Sequence, residues 1–445
     1  MPTPSHRRSR ARRRVTLATA GLLTAVGLGT VPFVTRADAA TDLAHATLAA
    51  GDGWAADGPG TTGGHAADAA HVFTVSTRAE LVRALSAGPA GAPRIIQVKG
   101  VIDANTDDAG RALDCDAYAK GTGYTLSAYL KAYDPAVWGR SKVPSGKLES
   151  ARAAAQAAQA ERIVFDVPSR TTLVGVPGTG AGIRGGSLQV RKADNVIIRN
   201  LTFADTRDCF PQWDPTDGST GNWNSQYDAV SLRGATHVWA DHNTFTDSPH
   251  FDTANPRHFG REYQVHDGAL DITNASDLVT VSYNRFTDHD KTMLIGSSDS
   301  DTKLRVTLHH NQFQGIVQRA PLARVGRIHL YNNHFATAPR NGYVHSYSVN
   351  SRAGAQIVAR ANHWTLSPDR KAGQLLSGDG TGAFAGEGNM VNGAVTDLVA
   401  AYNAANPKKK ITPEANWKPV LTTGLEASAA DLPASLARRA GAGVL

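Results

Sequence analysis

The sequence predicts an all-β solenoid, because one strand-like pattern recurs five times between residues 237 and 364. Each copy is an apolar run that ends in Asn-x-aromatic. The aromatic residues occur at intervals of 41, 27, 22 and 29 residues, at Phe245, Phe286, Phe313, Phe335 and Trp364. Unequal intervals are typical of a solenoid, in which every coil repeats while the loops between coils differ in length.

Residues 1–39 are predicted to be a secretory signal peptide rather than part of the fold. Six arginines between positions 7 and 14 form a basic segment, residues 17–34 are apolar, and Ala-Asp-Ala at 37–39 fits the small-x-small cleavage rule. A membrane anchor is the alternative, but the apolar run barely reaches the ~20 residues of a membrane span. Three consecutive arginines from position 12 leave both general and twin-arginine export open. We therefore expect a secreted, extracellular protein with one mature domain at 40–445.

The mature chain is nearly neutral, and so small a charge does not support a general attraction to nucleic acid. The whole chain has 46 basic and 39 acidic residues, but residues 1–39 hold seven arginines and one aspartate. Residues 40–445 therefore carry a net charge of +1, so an acidic ligand must be held by local geometry. We expect a monomer that has no membrane contact once the leader is removed.

A few helices and long loops are expected around the solenoid. Ser76 is predicted to cap a helix over 77–87, and residues 150–161 consist almost wholly of helix formers. Residues 94–102 are predicted to be the first coil strand, and 103–147 a long excursion. Two cysteines in an exported chain, Cys115 and Cys209, predict a single structural disulfide. Further segments are predicted as strands at 163–167, 171–175 and 196–203, coils over 228–365 and a tail that packs back onto the solenoid.

The repeated asparagine and aromatic positions are interpreted as scaffold. Aromatic residues at matched points of successive coils predict an internal stack. The asparagines are expected to adopt the left-handed conformation in a tight turn and to bond their neighbours above and below. The asparagines also provide a reference position for comparing residues of different coils. Asp228, Asp271 and Arg319 lie 15, 13 and 14 residues before the asparagine of their own coil. Stacking the coils would bring these three side chains to one face.

A group of carboxylates on that face predicts a cation site. Asp267 and Asp271 are four residues apart, which on a strand places both on the same face, and Asp228 is predicted to begin the corresponding strand of the preceding coil. Clustered carboxylates repel one another unless a cation lies among them, and ligation by oxygen alone suits Ca²⁺. Solvated turn aspartates are the alternative interpretation.

Three basic residues are predicted to continue the same face. Lys291 is expected to open the next strand, and Arg319 and Arg324 lie in the coil after that. Acidic rungs followed by basic rungs would form a groove for a polyanionic polymer that a metal ion bridges to the protein.

These residues lie in segments that resemble the extracellular pectate lyases of polysaccharide lyase family 1, in particular the Bacillus-type bacterial members. The segments are WDPTDGSTGNWNSQYDAVSL, HVWADHNTF, GREYQVHDGALDITNASDLVTVSYNRFTDHDKTMLIGSSDSD and LHHNQFQGIVQRAPLARVGRIHLYNNHF. They cover about 210–335 almost without a break. The resemblance implies a right-handed parallel β-helix, in agreement with the repeated pattern.

The resemblance also implies roles for individual residues. The three Ca²⁺ ligands of the family fall on Asp228, Asp267 and Asp271. The catalytic arginine falls on Arg319, and the residues that bind the substrate carboxylate fall on Lys291 and Arg324. Asp217 matches a residue that touches a further, substrate-bridging Ca²⁺ in some members. Gln226 stands where some relatives have another acidic ligand, so the number of Ca²⁺ ions stays open.

The activity implied by the resemblance is Ca²⁺-dependent β-elimination in α-1,4-linked polygalacturonate, which yields 4,5-unsaturated oligogalacturonates. Arg319 as the base is chemically demanding, because arginine is normally always protonated. An alkaline medium and neighbouring cations would have to help, and a purely electrostatic Arg319 is the alternative. Three other functions stay open: a polygalacturonase-like hydrolase, a pectin lyase and a non-catalytic β-helix that binds acidic glycans. Asp228, Asp267 and Asp271 argue against a pectin lyase. A hydrolase would need paired acidic residues to activate water, and the sequence has no acidic cluster apart from these three aspartates.

Overall fold

A computed structural model of the protein describes residues 43–445, so the predicted signal peptide lies outside the described residues. Its frame is formed by three long sheets whose strands are parallel, apart from one antiparallel pair at the end of the third sheet. Within each sheet, neighbouring strands follow one another in chain order. Each full coil therefore contributes one strand to each sheet, and the predicted fold class, a parallel β-helix, is confirmed.

Over residues 43–445, the three sheets contain ten, eight and ten strands. Sheet 1 consists of Val72–Val75, Arg94–Val98, Thr171–Gly175, Asp194–Arg199, Thr236–Asp241, Asp277–Ser282, Arg305–His309, Arg327–Tyr331, Gln356–Arg360 and Ala383–Glu387. Sheet 2 consists of Val164–Asp166, Ser187–Arg191, Val230–Arg233, Leu270–Thr273, Leu294–Ile295, Leu322–Arg324, Val349–Arg352 and Leu376–Gly378. Sheet 3 consists of Val101–Asp103, Gly182–Arg184, Thr202–Ala204, Thr244–Thr246, Arg285–Lys291, Gln312–Gln318, His334–Ala336, His363–Thr365, Met390–Val391 and Ala394–Val395.

Two segments that were predicted as single strands are bent at a corner. The predicted strand 94–102 is divided between sheets 1 and 3 by Gly100, whose φ is 76°. The predicted strand 196–203 is divided in the same way at Asn200, whose φ is 57°. A left-handed residue turns the chain, so one apolar run supplies strands to two sheets.

The asparagine and aromatic ladders are present inside the coils. From Asn243 to Asn362, each asparagine donates from Nδ2 to Oδ1 of the asparagine in the next coil at 3.0–3.1 Å, and the ladder ends at Asn389. The aromatic rings stack at 4.6–5.1 Å in a column from Phe203 to Trp364. Buried side chains that bond or stack on both neighbours hold the coils in register.

The predicted left-handed position in the turns is displaced by one residue. The residue before each ladder asparagine adopts positive φ, between 45° and 55°, at His242, Tyr283, His310, Asn332 and Ala361. The asparagine itself follows the turn, because its side chain must point inward to accept from the backbone N–H of the asparagine in the preceding coil. This bonding offsets the cost of left-handed, non-glycine backbone.

Helices flank the β-helix. The predicted helix 77–87 is observed at Arg78–Ser86, and its N-cap is Thr77 rather than Ser76, because Thr77 and Glu80 form a reciprocal capping box. The predicted helix 150–161 is longer, at Lys147–Ile163. Further α-helices among the described residues are Cys115–Ala119, Leu126–Ala132, Pro135–Trp138, Leu398–Ala405 and Leu432–Arg439. The last two confirm that the tail packs back onto the coils, since both bury apolar residues against them.

A second apolar cluster fixes the long helix Lys147–Ile163 beside sheet 2. Aromatic residues of the excursion pack with Trp213 and Trp223 of a small antiparallel hairpin, formed by Gln212–Asp214 and Asn222–Asn224. The predicted disulfide is present between Cys115 and Cys209. Within residues 43–445, the helices are too short or too polar to cross a membrane.

Candidate active site

Four of the predicted site residues, Asp228, Asp267, Lys291 and Arg319, lie at the corner where the chain passes from sheet 3 into sheet 2, whereas Asp271 and Arg324 lie within strands of sheet 2. Asp228 lies two residues before the strand Val230–Arg233, and Asp267 lies three residues before Leu270–Thr273. Lys291 ends a strand of sheet 3, and Arg319 directly follows the next strand of that sheet. Lys291 pairs with Gln318, so Lys291 and Arg319 occupy the same corner of adjacent coils.

Three details of the sequence prediction are wrong. Asp267 and Asp271 do not share a strand, because the chain is irregular until Leu270. Asp228 likewise lies before its strand rather than at its first residue. Lys291 does not open a strand of sheet 2 but ends one of sheet 3, and its Nζ still lies 3.3 Å from Oδ1 of Asp267. The chain turns at the corners, and this turn brings the side chains toward one another. The prediction had assumed that these residues lie on straight strands.

Gly268 makes the close approach of two carboxylates possible. A Cβ at this position would lie 2.5 Å from Oδ1 of Asp271 and 2.7 Å from Oδ1 of Asp228. Asp228 accepts a hydrogen bond from the backbone N–H of Gly268 at 3.0 Å, and Asp271 accepts one from Leu294 at 2.9 Å. The backbone therefore holds both carboxylates around a point that only glycine leaves open.

The electrostatics of these carboxylates favour a bound cation. Burial, together with the charge of Asp267, raises the pKa of Asp228. Burial and the charges of Asp228 and Asp267 raise the pKa of Asp271 well above its ordinary value. Mutual repulsion of this kind is relieved by a positive charge, and a donor set of carboxylate oxygens fits a hard divalent cation such as Ca²⁺.

Lys291 and Arg319 lie beside the carboxylates, whereas Arg324 lies in sheet 2, two strands beyond the strand of Asp271. Lys291 is only 8% exposed. Arg319 is half-buried and left-handed, with φ of 60°, and its Nε has no hydrogen-bond partner among the described residues. Arg324 pairs through Nη1 with the exposed Asp299 at 2.9 Å, while its Nε is also unpartnered. Both guanidinium groups therefore keep hydrogen-bonding capacity that the described protein atoms do not use.

Three neighbours of the site were missed from the sequence. Asp290 accepts hydrogen bonds from Gln264 and from Gln318, the residue that precedes Arg319. Tyr347 comes from the following coil: burial raises its pKa, while the adjacent guanidinium of Arg319 acts in the opposite direction. These three residues, Gln264, Asp290 and Tyr347, belong to other coils than Arg319. No regular interval in the sequence connects them with Arg319, so the sequence gives no signal for their proximity.

A second group of possible ligands includes the residue that precedes Asp267. Asp247, Asp252 and His266 are buried, and one ligand atom of each lies within 4.8 Å of the others. In residues 43–445, Asp228, Asp267 and Asp271 do not form a group this tight. His266 and Asp252 are already joined at 2.9 Å, and His289 is hydrogen-bonded to Asp247 in the same network. His289 thus has a structural position.

Asp217 is not brought to the carboxylates. It is exposed in the loop of the hairpin between Gln212–Asp214 and Asn222–Asn224. Over the described part of the chain, no hydrogen bond or ion pair joins it to Asp228, Asp267 or Asp271. A role for Asp217 stays a prediction.

Comparisons with known proteins agree with this arrangement. A profile of the family described as "Pectate lyase" matches residues 13–123 and 141–411. A pectate lyase of Bacillus subtilis (strain 168) is 44% identical, over 95% of this chain and 99% of its own length. Pectate lyase E of Dickeya chrysanthemi is 32% identical, over 89% of this chain and 90% of its own.

Solved structures show the same fold. A pectate lyase bound to a hexasaccharide superposes with a TM-score of 0.85 at 42% identity, covering 91% of this chain and 100% of that one. A pectate lyase from Acidovorax avenae subsp. citrulli gives a TM-score of 0.81 at 34% identity, covering 90% and 95%. The match in sequence and fold extends over nearly the whole chain, and the protein therefore belongs to the pectate lyase family.

Proposed function

We propose that the protein cleaves α-1,4-linked polygalacturonate by Ca²⁺-dependent β-elimination and releases 4,5-unsaturated oligogalacturonates. The observation that carries the proposal is the meeting of Asp228, Asp267 and Asp271 with Lys291 and Arg319 at one corner of the β-helix. A relative that is 42% identical over 91% of this chain has been studied for the anti β-elimination mechanism of pectate lyase, which supports the same reaction here.

The reaction breaks the C5–H and C4–O4 bonds of a galacturonate residue. The C5–H electron pair becomes the C4–C5 double bond, and the departing O4 takes a proton. Asp228, Asp267 and Asp271 would hold Ca²⁺, which when bound neutralises the substrate carboxylate and acidifies C5–H. Lys291 and Arg324 bind that carboxylate and stabilise the charge that develops on it.

Arg319 is assigned to accept the C5 proton. Its half-exposed side chain and its position at the corner beside Lys291 leave it able to face a bound sugar. Because a guanidinium is ordinarily protonated, the assignment requires activity to increase with alkalinity. If Arg319 acts only through its charge, Arg319→Lys will retain much of the activity.

Cleavage of polygalacturonate, followed by ultraviolet absorbance of unsaturated products with and without a chelator, tests the proposal. We expect absorbance to rise, the chelator to abolish it, and Arg319→Ala to lower turnover by about 10²-fold or more. Arg438→Ala, at an exposed arginine of the C-terminal helix, is the matched control. Wild-type turnover in Arg319→Ala contradicts the mechanism.

Other products would identify the competing functions. Reducing ends without unsaturation indicate a hydrolase, and chelator-resistant cleavage of esterified pectin indicates a pectin lyase. Binding without cleavage indicates a non-catalytic glycan-binding protein. The secreted, monomeric state and the domain limits 40–445 remain part of the proposal. The Cys115–Cys209 disulfide supports secretion, because disulfides persist in oxidising compartments.

A further inference from the structure

A single buried carboxylate holds the segment of chain that leads into Asp267. Asp252 is fully buried and lies in the long loop that follows a strand of sheet 3. Its Oδ1 accepts from the backbone N–H of Val265 at 3.0 Å, and its Oδ2 accepts from the backbone N–H of His266 at 3.4 Å. Both donors belong to the irregular stretch before the strand Leu270–Thr273. Side-chain hydrogen bonds, rather than a continuous sheet ladder, therefore hold the backbone there.

The imidazole of His266 is a second attachment to the same carboxylate. Its Nδ1 lies 2.9 Å from Oδ1 of Asp252, and its Nε2 lies 3.4 Å from Oδ1 of Asp205. Both ring nitrogens are thus engaged by protein oxygens. Asp247, the third member of the group of possible ligands, accepts from Oη of Tyr343 at 2.6 Å. Asp252 and His266 therefore form a hydrogen-bonded clamp on the backbone rather than a second metal site.

The clamp is anchored to a later coil. The backbone N–H of Asp252 donates to Oη of Tyr343 at 3.0 Å, and the same hydroxyl donates to Asp247. Tyr343 is buried, and it lies in the loop that also brings Tyr347 beside Arg319. A buried hydroxyl that both accepts and donates fixes the position of Asp252 relative to the coils on either side.

The clamp acts directly next to the carboxylate site. His266 immediately precedes Asp267, and the following residue, Gly268, donates its N–H to Asp228 at 3.0 Å. Over residues 43–445, the one hydrogen bond or ion pair of the Asp267 side chain is the 3.3 Å contact with Lys291. The position of this carboxylate therefore depends on the backbone that precedes it.

We propose that Asp252 is a positioning residue of the metal site. By fixing the backbone just before Asp267, it holds that carboxylate where it can share a Ca²⁺ ion with Asp228 and Asp271. Groups that orient metal ligands without touching the metal typically change its affinity by about 10- to 100-fold when they are replaced. The inference rests on the proposed function, of which Ca²⁺ binding by these carboxylates is a part.

Calorimetric titration of the metal-free protein with Ca²⁺ tests the inference. For Asp252→Asn, we expect the affinity to fall about tenfold, because the amide nitrogen that replaces one oxygen cannot accept from a backbone N–H. Since the ligands themselves remain, kcat at saturating Ca²⁺ should stay within about twofold of wild type. Asp241→Asn is the matched control: it changes a buried, hydrogen-bonded aspartate on sheet 1 and should leave Ca²⁺ affinity unchanged.

A second measurement needs neither ion nor substrate. Hydrogen exchange of the backbone amides of Val265 and His266 reports how firmly the clamp holds them in the metal-free protein. Exchange at these two amides should accelerate in Asp252→Asn and stay at the wild-type rate in Asp241→Asn. A purely destabilising effect would accelerate exchange in both variants.

Wild-type Ca²⁺ affinity in Asp252→Asn overturns the inference, and so does an equal fall in Asp252→Asn and Asp241→Asn. If Asp252→Asn does not fold, Tyr343→Phe replaces it: loss of the anchoring hydroxyl should lower Ca²⁺ affinity about threefold, and an unchanged affinity overturns the inference. Formation of unsaturated products by the wild-type protein decides the proposed function separately, whatever the variants bind.

Discussion

At the scale of single residues, the site places negative charges where they repel one another. Asp271 is buried and Asp228 is half-buried beside it, and burial together with the charge of the neighbouring Asp267 raises the pKa of both. A carboxylate in such surroundings binds a proton when no metal is present. Ca²⁺ and protons therefore compete for the same oxygens.

This competition predicts that Ca²⁺ binding releases protons. With a raised pKa, the proton is lost only above the ordinary carboxylate range near pH ~4, so apparent Ca²⁺ affinity should increase between about pH 5 and about pH 8. Calorimetric titration in buffers of different ionisation enthalpy measures the protons released. Asp271→Asn should weaken Ca²⁺ binding and reduce that release. Affinity that does not vary over this range would show that the carboxylates are already ionised without metal.

At the scale of the coil, the sequence predicts the repeated positions better than it predicts the residues at which the chain turns from one sheet to the next. Five aromatic positions were predicted, and the stack has a sixth at Phe203, which the pattern missed because it lies three positions after Asn200 rather than two. The asparagine ladder continues to Asn389, which no aromatic residue follows at that spacing. The sequence predicts the coil in which a charged residue such as Arg319 lies. It does not predict where the strands near Lys291 begin and end, because corner residues other than glycine that adopt the left-handed conformation have no clear sequence pattern.

The ladder predicts a large effect for a single polar substitution. Asn311 donates to the carbonyl of Val281 and to Asn333, and it accepts from the backbone and side chain of Asn284. Asn311→Ala leaves several buried groups unpaired and should lower the free energy of unfolding by about 3 kcal/mol. Urea unfolding measures the change, with the exposed Asn416 changed to alanine as the control. Equal midpoints for the two variants would show that the ladder is not stabilising.

At the scale of the whole molecule, the β-helix depends on buried charged groups far from sheet 2 as well as on its apolar interior. Asp241, on sheet 1, is 1% exposed. It accepts from Nε of Arg199 at 2.6 Å and from Oγ of Ser282 at 2.6 Å, and it lies 2.7 Å from Nδ1 of His242. Burial acts to raise the pKa of Asp241, but His242 and Arg199 outweigh it and the pKa is lowered.

A lowered pKa fixes the direction of the pH dependence. The ionised Asp241 contributes stability above its unfolded pKa of about 4, and this contribution is lost as pH falls through the lower pKa of the folded protein. Asp241→Asn should therefore cost about 2 kcal/mol of unfolding free energy at neutral pH, and the difference from wild type should narrow in acid. Urea unfolding at a series of pH values measures it. Because Asp241 lies on sheet 1, the folded variant should retain wild-type turnover at neutral pH. A difference that is constant with pH would show that the lost hydrogen bonds, rather than the charge, stabilise the fold there.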